Sequence, residues 1–361
     1  MSTETSSSLK SVLSLSSTNY DPWRVGLSMA ASWSWGASLA TGIGILLTMG
    51  QAGFWIWALF NIVAIPLFGA MFQKFEEYQY LLKLWPALLF MGYIQLGTFF
   101  INSQAIFEVA NGGVDLAGFQ LLGNTAATVL AMGVGFFFIG LIHKYGLPGS
   151  ISTDLYQYIV QLAGCLLIIG LALVWNIDGA TVPTSTTGQM TNALWLGIGL
   201  LGGPMFGAQQ WQRIREVDED KQARAGLWGG LFFGVYLVAV YFVGVLLGSG
   251  SAILSAILLI TVLGVTTSTI DSATAALQML LGNRTAGTAI AALAVLAWPA
   301  VQSLGIVALF SYIFRISAVL FLVFTAAILL AEYTSFSIAP FATADIIDDE
   351  PTGPVAGPAD D

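Results

Sequence analysis

Cysteine, histidine and charge are all scarce in this chain, and each shortage rules something out. The one cysteine, Cys165, lies in the apolar run 162–174. It cannot form an intrachain disulfide and reads as packing filler. The one histidine, His143, sits in a short loop before Lys144. A single His and a single Cys do not make a zinc-type ligand set, and no cofactor is expected. Charged residues are 9% of the chain, against about 25% in a soluble domain. Basic residues are the rarer kind: 11 Lys and Arg stand against 20 Asp and Glu, for a net charge of −9. Nucleic acid is held through basic surface, so it is excluded as a partner. The apolar runs contain no paired catalytic carboxylates and no nucleophile beside a histidine, so an enzyme is not expected.

Hydrophobic residues are 57% of the chain. They gather in runs of about 20 residues, the length an α-helix needs to cross the hydrocarbon core. The ~10-residue alternating segments of a β-barrel are not seen. The expected fold class is therefore all-α, a polytopic membrane protein of about ten transmembrane helices in a lipid bilayer. The runs lie near 25–48, 54–72, 84–109, 121–142, 151–174, 192–211, 226–247, 251–281, 285–303 and 306–330. Residues 1–24 are rich in Ser and Thr and lack the basic start and apolar core of a signal peptide, so they read as a flexible tail. Residues 333–361 hold Pro340, Pro351, Pro354 and Pro358 among acids and read as a disordered tail. Between them, 25–332 is one transmembrane domain with halves near 25–176 and 190–332.

Basic residues supply an independent check, because they concentrate at cytoplasmic ends. Lys10 and Arg24 precede the first run, Lys74 and Lys83 follow the second, and Lys144 follows the fourth. Arg213, Arg215, Lys221 and Arg224 follow the sixth, and Arg284 follows the eighth. All but one of the 11 basic residues thus fall at one membrane face. The pattern implies a cell-membrane protein with both termini cytoplasmic. The exception, Arg315, lies inside the last run.

An even count with an odd number per half makes the second half enter the membrane inverted relative to the first, the plan of many secondary transporters. Helix-weakening residues occur in corresponding runs. The first has Gly36, Gly42 and Gly44, and the sixth has Gly197, Gly199, Gly202, Gly203, Pro204 and Gly207. Interrupted helices in matching positions point to a binding site, although glycine also serves close helix packing. In the eighth run Gly264, Ser268, Asp271 and Ala275 share a face, with Thr267, Thr274 and Gln278 beside it. Hydroxyl and carboxylate oxygens suit a small hard cation. Such hydroxyls also commonly bond back to their own helix. Asp271 in mid-span is a functional residue by default, since its burial costs about 2.5–3.5 kcal/mol. Arg315 has three candidate partners: Asp271, a solute group, or backbone carbonyls at a broken helix. Asp154 opens the fifth run, where it suits a helix cap beside Ser152 and Thr153. Gln95, Thr98 and Asn102 share a face of the third run and suit helix-to-helix bonding.

Four segments carry a resemblance. Thr267-Ser268-Thr269-Ile270-Asp271-Ser272 resembles the S-T-x-(S/D)-S signature of the solute:sodium symporter family. Trp33-Ser34-Trp35-Gly36-Ala37-Ser38-Leu39 resembles that family's first core helix, and Thr153-Asp154-Leu155-Tyr156-Gln157 its T-D-x-x-Q. Gln212-Arg213 with Lys221-Gln222-Ala223-Arg224-Ala225-Gly226 resembles its cytoplasmic loop. The likeness covers roughly residues 25–330 and implies a LeuT-type five-plus-five inverted repeat. It implies sodium-coupled import of a small organic solute, with sodium as coupling ion. Carried over by position, the sodium ligands are the Ser268 and Thr269 hydroxyls with Thr41, Gly44 and Val265, the carbonyls coming from an unwound first helix. Asp154 and Asp271 lie on the ion pathway. Thr48, Gln95, Pro204, Met205, Gln209 and Arg315 are the expected solute lining. The stretch Ile45-Leu46-Leu47-Thr48-Met49 lacks the polar residues many members use to hold solute, and Ala208-Gln209-Gln210 lacks their acidic residue. An uncoupled facilitator for urea or a similar solute, and a transporter-like sensor, are the alternatives. The acidic balance is compatible with a halophilic archaeon and equally with an ordinary acidic tail.

Overall fold

Apolar runs in a bilayer must satisfy their own backbone groups, and the helix does so within one segment. The computed structural model describes residues 20–34, 36–74, 85–112, 120–145, 148–247 and 251–333. These form α1 (Pro22–Trp33), α2 (Gly36–Lys74), α3 (Trp85–Asn111), α4 (Asn124–Tyr145), α5 (Pro148–Val174) and α6 (Thr187–Phe206). Then come α7 (Ala208–Ile214), α8 (Gln222–Leu246), α9 (Ala252–Leu280), α10 (Arg284–Ala297) and α11 (Ile306–Tyr333). Short 3-10 turns lie at Glu219–Lys221 and Trp298–Val301, and no strand occurs among the described residues. The chain is an all-α polytopic membrane protein.

Among the described residues, seven helices are long and apolar enough to cross a membrane, fewer than the runs read from the sequence. One reason is that α2 holds two runs back to back. Its helix is interrupted at Gly50 (φ 76°, ψ 179°). A Cβ on Gly42 would lie 3.5 Å from the Trp57 ring, so the chain folds back on itself there. Gly50 is required twice over, for its positive φ and because a Cβ would stand 2.3 Å from the Pro183 carbonyl. The other reason is polarity. α1 stops after 12 residues, α6 starts on the polar Thr187-Gly188-Gln189, and α3 is diluted by Gln95, Asn102, Gln104 and Glu108.

The bundle is apolar outside as well as inside. Leu89, Phe137, Leu166, Leu231, Leu293 and Leu322 are exposed, a surface that suits lipid and not water. Buried polar residues cluster instead on α1, α3, α7 and α9. α2 packs along α8 and α6, α3 and α5 flank α9, and α11 lies against α6. The ordered chain begins earlier than the expected tail boundary: α1 starts at Pro22, and the Tyr20 amide donates to the Glu216 carbonyl (3.2 Å). The remainder of that tail and the acidic tail lie outside the described residues.

Most glycines of the sixth run serve close packing. A Cβ on Gly199 would meet the Phe314 carbonyl at 2.0 Å, and one on Gly203 would meet the Trp33 ring at 2.1 Å. Gly199→Ala therefore forces α6 off the α11 backbone. We expect a loss of about 1–3 kcal/mol, read as a lower thermal-unfolding midpoint in detergent. Gly133→Ala, where nothing lies within 4 Å, should not lower the midpoint and should raise it slightly, because alanine favours the helix.

Candidate functional site

Helix breaks expose backbone groups, and a buried break needs side chains to meet them. α1 ends at Ser34 (φ −76°, ψ 66°) and α2 begins at Gly36. α6 ends at Gly207 (φ −84°, ψ 94°), where α7 begins. Amides from three other helices converge on the first break. Gln161 Nε2 donates to the Ser34 carbonyl (2.6 Å). Gln209 Nε2 reaches the Ser32 carbonyl (3.3 Å), and Gln210 Nε2 reaches Ser32 Oγ (3.0 Å) and the Met29 carbonyl (3.4 Å). On the far side Asn102 Oδ1 accepts from the Ala37 amide (3.4 Å). The second break is thus tied to the first through α7, which its own chain supplies.

The break of the first segment lies at Ser34, before Thr41 and Gly44. Gly44 sits in continuous helix, and its carbonyl accepts the Thr48 hydroxyl (2.7 Å). Thr41 is different. Its Oγ1 is fully buried and has no hydrogen-bond partner. Thr48, Thr98, Thr261, Thr266 and Thr274 all donate to the carbonyl four residues back at 2.7–2.9 Å. Thr269 does so only weakly, to Val265 at 3.4 Å. α2 packs against α9, the helices that carry these residues. The side chains of Thr267 and Ser268 lie outside the described residues, as do those of Ser152 and Thr153.

The deepest charge pair lies at the end of the bundle where α1 and α5 begin and α7 ends. Asp154 is fully buried and Arg213 is 1% exposed. Arg213 donates from Nη2 (2.8 Å) and Nε (3.1 Å) to Asp154 Oδ2. Ser28 Oγ donates to the same oxygen (2.5 Å) and accepts from Arg213 Nε (2.9 Å). Arg213 also donates to the Gln209 carbonyl (2.9 Å) and to Ser272 Oγ (3.2 Å), which in turn donates to Asp271 Oδ1 (3.0 Å). One guanidinium thus joins α1, α5, α7 and α9. Asp154 stands more than a turn inside α5, so it is an ion-pair acceptor and not a helix cap. Asp271 belongs to this cluster and not to Arg315. Beyond it, in the turn after α7, burial pushes the Glu216 carboxyl above its ordinary range.

A cavity of about 970 Å³ occupies the opposite end. It lies among the end of α3, the start of α4, the Gly50 bend and the starts of α6 and α11. Its polar lining includes Gln104, Glu108, Asn111, Gln189, Asn192 and Arg315. Of the expected solute residues, Thr48 and Arg315 line this cavity. Gln95, Pro204, Met205 and Gln209 do not; they are buried, Gln209 beside the first break and Pro204 and Met205 at the end of α6. Both side-chain polar atoms of Gln95 are without a partner, as is Gln209 Oε1.

Sequence reasoning missed two site residues. Arg213 was expected in a cytoplasmic loop, because the break at Gly207 conceals that the chain continues as buried helix. Glu108 lies at the end of the third run, where a carboxylate reads as the edge of a span and draws no notice. Its Oε1 accepts from the Ile306 amide at the start of α11 (2.6 Å) and from Gln104 (2.9 Å).

The arrangement is similar to a solved transporter. A Na+-coupled sialic acid symporter matches with a TM-score of 0.50 at 14% identity, over 86% of this chain and 76% of that one. The manganese transporter of Eremococcus coleocola matches with a TM-score of 0.42 at 14% identity, over 87% of this chain and 81% of that one. No protein-family model and no curated protein sequence matches the chain. The likeness to the symporter is one of fold.

Removing one partner of the buried pair leaves the other charge uncompensated, which costs about 3–5 kcal/mol. Asp154→Asn and Arg213→Gln should each lower the unfolding midpoint in detergent strongly. The double variant should be clearly less destabilised than the sum of the two, the signature of direct coupling.

Proposed function

We propose that this chain is a secondary transporter that imports a small organic solute together with sodium by alternating access. The observation that carries the proposal is the unpartnered, buried Thr41 hydroxyl on α2, a helix that packs against α9, which bears Thr269. A buried hydroxyl without a partner costs free energy, and a sodium ion offsets that cost by taking its oxygen as ligand. In this reading the ion is held by Thr41, Val265, Ser268 and Thr269, and by Gly44 once its carbonyl leaves the Thr48 hydroxyl it accepts here. It clamps α2 to α9. Asp154 Oδ1, which has no partner, and Asp271 would then receive the ion on its way out.

The charge distribution supports an orientation with the cavity outside and the Asp154–Arg213 cluster inside. The structure then corresponds to an outward-facing form. Its inner end is held shut by one guanidinium shared among four helices. Solute enters the cavity, passes Arg315, and settles near the broken helices, where Gln95 and Gln209 have unused amide atoms. Each ligand raises the affinity for the other by the same factor.

The test is uptake by the protein in liposomes across a series of sodium concentrations, with candidate solutes screened first by thermal shift. Thr41→Val and Thr269→Val should each raise the sodium needed for half-maximal uptake by about tenfold, a change of about 1.4 kcal/mol. Thr98→Val, whose hydroxyl is already bonded, should not. Uptake that ignores sodium altogether would make the chain a facilitator.

A further inference from the structure

Arg315 stands nine residues past Ile306, the first residue of α11, which is about 13 Å along the helix axis. An arginine so deep in a bilayer calls for a partner. Among the described residues its hydrogen-bond partner is Asn192 Oδ1 on α6. No described carboxylate is within ion-pairing distance, since the ion pairs are Arg213–Asp154 and Lys221–Asp218. A guanidinium has five donor hydrogens in a fixed plane. With one directed at Asn192, a side of the fork remains for a planar anion, and the Asn192 amide nitrogen stands beside it.

The surroundings of Arg315 define more than a charge. A second cavity of about 610 Å³ runs between α6 and α11, lined by Gly188, Gln189, Thr191, Asn192, Trp195, Arg315 and Val319. Gln189, Asn192 and Arg315 line this groove and the larger cavity alike. Along α6, Gly188, Asn192 and Trp195 follow helical spacing, and along α11, Arg315 and Val319 are one turn apart. Trp195 is 44% exposed and Val319 56% exposed, so the groove widens toward the apolar exterior. Arg315 therefore occupies a junction: the amide-lined cavity on one side, an indole and a branched aliphatic side chain on the other.

We infer that the junction is a binding site for an amphipathic monocarboxylate, with its carboxylate on the Arg315 fork and Asn192 and its hydrocarbon tail in the groove over Trp195 and Val319. Arginine matches a carboxylate through two parallel hydrogen bonds, which sets the head. The apolar groove sets the tail, because burying its methylenes adds affinity that a short anion lacks. The inference extends the reading of the larger cavity as the solute entrance, but it does not rest on sodium coupling.

The test uses the full chain in phosphatidylcholine nanodiscs in potassium buffer, with empty nanodiscs subtracted. Equilibrium binding of radiolabelled octanoate is measured with acetate and octanol as competitors. Octanoate should bind saturably, and acetate and octanol should each compete at least about tenfold more weakly than unlabelled octanoate. Arg315→Gln should weaken binding by about tenfold or more, Arg315→Lys by less, and Trp195→Ala by about threefold. Variants are compared only where they remain monodisperse, and Trp195→Ala tests the tail contact with the arginine intact. Octanoate binding unaffected by Arg315→Gln, or acetate competing as well as octanoate, overturns the proposal. Loss of octanoate binding when phosphatidylglycerol is included also overturns it, and gives the site to a lipid headgroup. Because no sodium is present, failure here and failure of sodium-dependent uptake are separate results.

Discussion

The structure depends on one constraint: backbone groups freed by a broken helix inside a bilayer must find partners. Two breaks are made, at Ser34 and at Gly207. At the first the partners are glutamine and asparagine side chains from α3, α5 and α7, and at the second the Trp211 indole donates to the Met205 carbonyl. This explains why the spans nearest the centre are the least apolar. Their polarity is the complement of the breaks. It also explains why the second break sits where it does, since α7 is the short helix that carries Gln209 and Gln210 to the first.

The same arrangement leaves some buried polar atoms without partners, among them Thr41 Oγ1, both side-chain polar atoms of Gln95 and Gln209 Oε1. Thr41 is informative because other helical threonines show what a satisfied hydroxyl does in this fold. An oxygen that does not bond back to its own helix is available to something else. At the end of the bundle where α1 and α5 begin, the logic is reversed. There Arg213 and Ser28 both bond to Asp154 Oδ2, and one cation joins four helices.

Legibility differed from residue to residue. That the sixth run is interrupted was readable from Pro204 and its glycines. Which glycine breaks the helix was not: Gly199 and Gly203 serve contacts with Phe314 and Trp33, and the break falls at Gly207. The first run was expected to unwind near Thr41 and Gly44, but it breaks at Ser34, because the amide partners gather there. Asp271 was legible as a carboxylate in a span. Its linkage through Ser272 to Arg213 was not, because that contact joins residues 59 apart in sequence.

The sequence by itself determined that the chain is a helical membrane bundle, since about 20 apolar residues in a row have few other stable outcomes in lipid. It also determined where polarity concentrates along each span, because composition is a local property. Tertiary structure decided which polar residues meet. Arg213 became the centre of a buried cluster and Arg315 the shared wall of two cavities only when helices distant in sequence were packed together. Partnership between charges depends on distance in space, and hydropathy along the chain carries no record of that.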